Sequence, residues 1–163
     1  VMLVGKRRKM LDYLKAKEMQ MKRDIEGFKK SPADDLLNML TGITGYKGRV
    51  HYHAGECISQ DLLSMDKNLP KNDLLQQIAE NIDASIHRHY QLFPNNYIAA
   101  DFLAKDNRFA EHYSPTEVER FNQYLEKQLQ KIDIPQEQKD VEFLREKMLE
   151  MYANPLKNYL NSL

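Results

Sequence analysis

Residues 48–58, GRVHYHAGECI, alternate as a half-buried β-strand does, with Val50, Tyr52 and Ala54 on one side and Arg49, His51 and His53 on the other. A strand presents a row of backbone donors and acceptors that must be paired, and the rest of the sequence offers little to pair them with. Only residues 1–4, VMLV, have similar β-forming character, and they are too few to make a stable two-stranded unit. The expectation is a mainly α chain, a helical bundle with one or two short β-strands. In it the 48–58 segment pairs with residues 1–4, pairs with a second copy of the chain, or does not form a strand at all.

The remainder reads as helices. From Lys9 to about Lys29, apolar residues at Met10, Leu11, Leu14, Met21, Ile25 and Phe28 follow amphipathic spacing, which predicts that this stripe faces inward. Ser31, Pro32 and Asp34 read as an N-cap, a first-turn proline and an acidic residue at the third helical position. They open a second helix through Leu36, Leu37 and Leu40 that Gly42 and Gly45 should end. Residues 72–93 carry a strong stripe of Leu74, Leu75, Ile78, Ile82, Ile86 and Tyr90, broken by Pro94, and residues 96–105 make a shorter helix with Ile98, Phe102 and Leu103 inward. Ser114, Pro115 and Glu117 form a capping box ahead of Phe121, Leu125, Leu129 and Ile132. Pro135 should start the next helix, through Val141, Leu144, Met148 and Met151, and Pro155 a final turn or two. The short link between these last two long helices predicts an antiparallel hairpin. Composition shifts softly near residues 105–114, which divides the chain into residues 1–105 and a helical hairpin extension at 106–163.

With 163 residues, 42 % of them hydrophobic and 29 % charged, the chain has the make-up of one globular domain. A single cysteine, Cys57, excludes an internal disulfide framework and fits a reducing, cytoplasmic setting. No apolar run approaches the roughly 18 residues a membrane span needs, and VMLV followed by KRRK is the wrong order for a secretion signal. The formal net charge is zero, yet residues 1–50 hold twelve Lys and Arg against six Asp and Glu. That basic end has two readings, a solvated helix face or a surface for anionic lipid or nucleic acid, and nucleic acid is the less favoured partner.

Chemistry-bearing residues are few. His51 and His53 point the same way along a strand, near Glu56, whereas His87 and His89 diverge on a helix, and no third ligand completes a metal site. Cys57 beside the Glu56 carboxylate reads as a small buried residue with a raised pKa rather than a nucleophile. The glycines at 42, 45, 48 and 55 match neither a phosphate loop nor a dinucleotide fingerprint. Lys47 and Arg49, on the tight turn entering the strand, are the candidates for contact with a phosphate or an anionic surface, against the alternative of an ordinary glycine turn. No catalytic residue, cofactor or metal is assigned.

Three stretches, DYLKAKEMQMKRD from Asp12, DDLLNMLTGITGYKGRVHYHAGECI from Asp34 and IHRHYQLFPNNYIAADFL from Ile86, resemble the C-terminal half of bacterial 1-acyl-glycerol-3-phosphate acyltransferases. The resemblance implies that VHYHAGECI is a remnant of a late strand of the α/β acyltransferase sheet. It also implies an acyl-CoA or acyl carrier protein donor and a lysophospholipid acceptor in the full-length enzyme, in the cytoplasm or peripheral on the inner membrane. The family's catalytic base is a histidine followed five positions later by an aspartate. Here His51 and His112 are each followed at that distance by Glu56 and Glu117, so no catalytic residue carries over and the chain alone is expected to be inactive. Two other functions are open: a protein-interaction module whose hairpin at 114–152 docks a partner, and a lipid-surface module acting through the basic first helix.

Overall fold

The computed structural model describes residues 12–44 and 51–163. Among them the chain forms seven α-helices, α1 Asp12–Asp24, α2 Pro32–Thr44, α3 Ser59–Ser64, α4 Lys71–Arg88, α5 Pro94–Ala104, α6 Pro115–Gln130 and α7 Val141–Asn161, with a 3-10 turn at Ala110–His112. The mainly α class is as expected. The proposed pairing of residues 48–58 with residues 1–4 lies outside the described residues, as do Val50 and the basic pair Lys47 and Arg49. From 51 to 58 the chain makes a single β-bridge at His53 and is otherwise irregular. Its phase is the reverse of the alternation expected, since Tyr52 and Ala54 are exposed while His51 and His53 are half-buried.

Helix starts follow local chemistry. Ser31 Oγ accepts from the Asp34 N–H at 3.1 Å while Asp34 accepts from the Ser31 hydroxyl and N–H. At α6, Glu117 N–H donates to Ser114 Oγ and Ser114 N–H donates to Glu117 at 2.8 Å, the reciprocal box read from sequence. Three boundaries differ from expectation. Gly42 lies inside α2, which runs on to Thr44. The helix after Pro135 starts only at Val141, where the Asp140 carboxylate caps the Phe143 N–H. Pro155 sits within α7, which continues to Asn161. A proline in a helix interior removes the N–H that would bond the carbonyl four residues back, here that of Met151. Beside it α5 packs along α7, and Asn96 Nδ2 donates to the next carbonyl, that of Tyr152, at 2.8 Å.

The core is built by α1, α5, α6 and α7. Ala16, Ile98, Phe121, Leu125, Leu144 and Met148 pack in one cluster that runs across residue 105, and Ala99 lets α5 and α7 approach closely. Hairpin residues 121, 125, 129, 144 and 148 are thus buried within one chain. The expected partner-docking face at 114–152 therefore loses its motive, because its apolar residues already have intramolecular partners. In the connection between α6 and α7, Lys139 Nζ donates to the carbonyls of Leu129 and Ile132, closing the end of α6 with a cation where the helix dipole is negative.

Candidate functional site

Two helices depart from a simple burial of their apolar stripes. In α1 the fully buried positions are Asp12, Ala16 and Gln20, one stripe at a spacing of four; Tyr13 and Met21 pack against the core beside them, while Ile25, just past the helix, is 45 % exposed. A polar stripe can be buried only if every group finds a partner. Gln20 Nε2 donates to the Gln138 carbonyl at 2.6 Å, and its Oε1 accepts from the Asp140 N–H. Asp12 Oδ2 accepts from the hydroxyls of Tyr124 and Tyr152, whose oxygens lie 3.0 Å apart. Burial pushes the Asp12 carboxyl upward against the opposing pull of the two phenols. Burial and the nearby Asp12 charge likewise hold both tyrosines protonated. The buried cluster was not read from sequence; its one signal was a spacing of four shared by Asp12 and Gln20, interrupted by an alanine.

The helix α2 shows the clearer inversion. Leu36, Leu37, Met39, Leu40 and Ile43 are each 54–67 % exposed. With 3.6 residues per turn they fall on one continuous apolar side. The side turned to the chain is the polar one, with Gly42 buried and Asn38 and Thr41 half-buried. The helix makes no extensive contact with any other described helix. Exposed apolar area of this continuity marks a surface that something covers. The charges of α2 are Asp34 and Asp35 in its first turn, and Asp35 pairs with Lys30 at 3.0 Å.

A groove of about 670 Å³ lies between α4 and the chain running into α3. Ile58, Leu62, Ile78 and Ile82 line it, and His53, Glu56, Arg88 and His89 stand around it. The helix read from the stripe of leucines and isoleucines forms as α4, with no residue fully buried and Leu74, Ile78, Ile82 and Ile86 half-buried.

The remaining sequence candidates separate. His53 meets His89 rather than His51, their rings stacking at 3.7 Å. His87 turns away to contact Asn158, and no group of three metal-ligating side chains forms among the described residues. His112 stacks on Tyr97, while the Glu117 at that five-residue spacing caps α6 and serves no base. Cys57 is exposed, not buried, and its thiol is held below the usual range by the hydroxyl and then the backbone of Ser59, its Sγ lying 3.2 Å from Ser59 Oγ. The expected upward shift from Glu56 does not arise. Among the described residues no helix is long and apolar enough to cross a membrane. No protein-family model, curated protein or solved structure matches the chain.

Proposed function

We propose that this chain is the C-terminal helical part of a glycerolipid acyltransferase of the lysophosphatidate type, inactive by itself, with its catalytic histidine on a part of the protein outside these residues. The observation that carries the reading is the outward apolar side of α2. That helix lies within the stretch from Asp34 that resembles the acyltransferase, and a sheet domain of the kind the resemblance implies would cover it. Leu75 of α4, 53 % exposed, adds to the outward apolar surface. In this reading acyl-CoA or acyl carrier protein and a lysophospholipid are substrates of the whole enzyme, and Lys47 and Arg49 are candidates for contact with a phosphate or an anionic surface.

The charges on α2 favour a protein cover over an anionic lipid surface, because Asp34 and Asp35 would be repelled by lipid headgroups. The same face supports a second reading, a helical interaction module that docks through α2 instead of through the hairpin.

Coding sequence upstream of Val1 tests the first reading directly: an in-frame histidine followed five positions later by aspartate is expected, and an in-frame stop codon overturns it. Acyl-transfer assays on lysophosphatidate complete the test. The isolated chain should show no turnover, and the chain joined to its upstream coding region should show turnover that Leu36→Asp/Leu40→Asp reduces. Robust turnover by the isolated chain would sink the proposal.

A further inference from the structure

Two imidazoles lie face to face where the chain ahead of α3 meets the end of α4. The rings of His53 and His89 have centroids 3.7 Å apart and planes 11° from parallel. Both side chains are half-buried. His89 Nδ1 lies 2.7 Å from the carbonyl oxygen of Ser85. A carbonyl only accepts, so Nδ1 carries the hydrogen and Nε2 is the position that takes up a proton.

Neutral imidazoles stack favourably, whereas two imidazolium rings at that separation repel. The surrounding charges do not cancel this. Glu56 and Asp61 line the groove from the side of α3, and Arg88 lines it from α4. His51 precedes His53 by two residues, and His87 is directed toward Tyr90 and Asn158. Two carboxylates offset a first imidazolium. A second one faces the first at stacking distance with Arg88 beside it, leaving positive charge in excess. Among the described residues α3 makes no extensive contact with another helix, and Leu63 is 71 % exposed.

We infer that the His53–His89 stack is an acid-sensitive clasp, which holds residues 51–65 over α4 while the rings are neutral and releases them when both are protonated. Release opens the Ile78 and Ile82 wall of the groove to whatever binds there. The device does not depend on the acyltransferase reading.

Hydrogen-exchange mass spectrometry on the full chain, corrected for the intrinsic pH dependence of exchange, tests it. From about pH 8 to about pH 5, peptides from 51–65 should lose about ten-fold in protection. Peptides from α7 should keep theirs. The double variant His53→Phe/His89→Phe retains two stacked rings without titratable groups, and its 51–65 protection should stay constant. A wild-type segment indifferent to pH overturns the inference. So does an equal loss in the double variant, which would assign the effect to Glu56 and Asp61, and so does a parallel loss in α7, which would mean global unfolding. Should the variant fail to fold, the ring-proton resonances of the wild type decide: interdependent titration of the two rings supports the clasp, and two independent single-step curves refute it.

Discussion

Tyr152 Oη donates a 2.8 Å hydrogen bond to Oδ2 of Asp12, tying α7 to α1 across 140 residues of sequence. Tyr124 of α6 donates to the same oxygen, so a single carboxylate joins three of the four core helices. That junction explains why α1 buries a polar stripe. An aspartate accepting from two phenols is satisfied inside the core, and no apolar residue could replace it without orphaning both hydroxyls.

Removing one hydroxyl should therefore be costly despite the small change in volume. Tyr152→Phe is expected to destabilise the fold by about 1–3 kcal/mol, because the buried Asp12 loses a donor. Tyr124→Phe should act in the same direction, and the double variant should differ from the sum of the two since they share one acceptor. Urea unfolding followed by circular dichroism gives all three values.

The same carboxylate predicts an unusual pH dependence. Burial raises the folded-state pKa of Asp12 above its ordinary 3.8, so the folded form binds the more protons. Its contribution is fully present below that value and is lost as pH rises through the folded-state pKa. Wild type should thus lose stability relative to Asp12→Asn as pH increases from about 3 to about 6. Paired urea titrations across that range measure the difference, and a wild type that gains stability relative to Asp12→Asn as pH rises would contradict the cause given.

Glu18 should behave in the opposite sense. Its hydrogen bond from Lys22 at 2.7 Å, followed by that from Lys15 at 3.1 Å, lowers its pKa from 4.5 to about 2. The stability it contributes is complete above 4.5 and disappears as pH falls through about 2. Glu18→Gln should be the less stable protein at neutral pH and equal to wild type near the acid limit, with the gap narrowed by salt.

Buried and exposed leucines should separate cleanly by thermal unfolding. Leu125, fully buried, is expected to cost about 2–5 kcal/mol on truncation to alanine. Leu36→Ser/Leu40→Ser in α2 should change stability by no more than about 0.5 kcal/mol while reducing the binding of a hydrophobic dye. A large loss of stability in the α2 variant would show that the chain itself covers that face.

The capping box at Ser114 offers a local control. Ser114→Ala should lower the melting temperature by roughly 2–4 °C, and Ser114→Asp should restore most of it, since either side chain accepts from the Glu117 N–H.

The starts of α2 and α6 were legible because their causes lie within one turn, whereas α3 at Ser59–Ser64 was not read from the sequence. Ser31 with Asp34, and Ser114 with Glu117, satisfy orphan N–H groups from three residues away, and the structure keeps both caps. Boundaries set by packing were not legible. Pro155 reads locally as a start, yet α7 runs through it in contact with α5. The alternation read as a strand at 48–58 shows the limit of periodicity: it has a period but no sign, and His53 turned inward, where His89, distant in sequence, supplied a ring to stack on.

What the sequence by itself determined is the helical class, the caps and the separation of each helix into an apolar and a polar side. What only the tertiary structure decided is which side faces in. For α6 and α7 the apolar side won, since their leucines and methionines meet one another and α5. For α1 two polar residues are buried beside Ala16 and Met21, because Tyr124, Tyr152 and the Gln138 carbonyl stand where Asp12 and Gln20 can be satisfied. For α2 the apolar side was left outward. A spacing of three and four residues defines a stripe, but the free energy of burying it depends on partners that arrive from more than a hundred residues away.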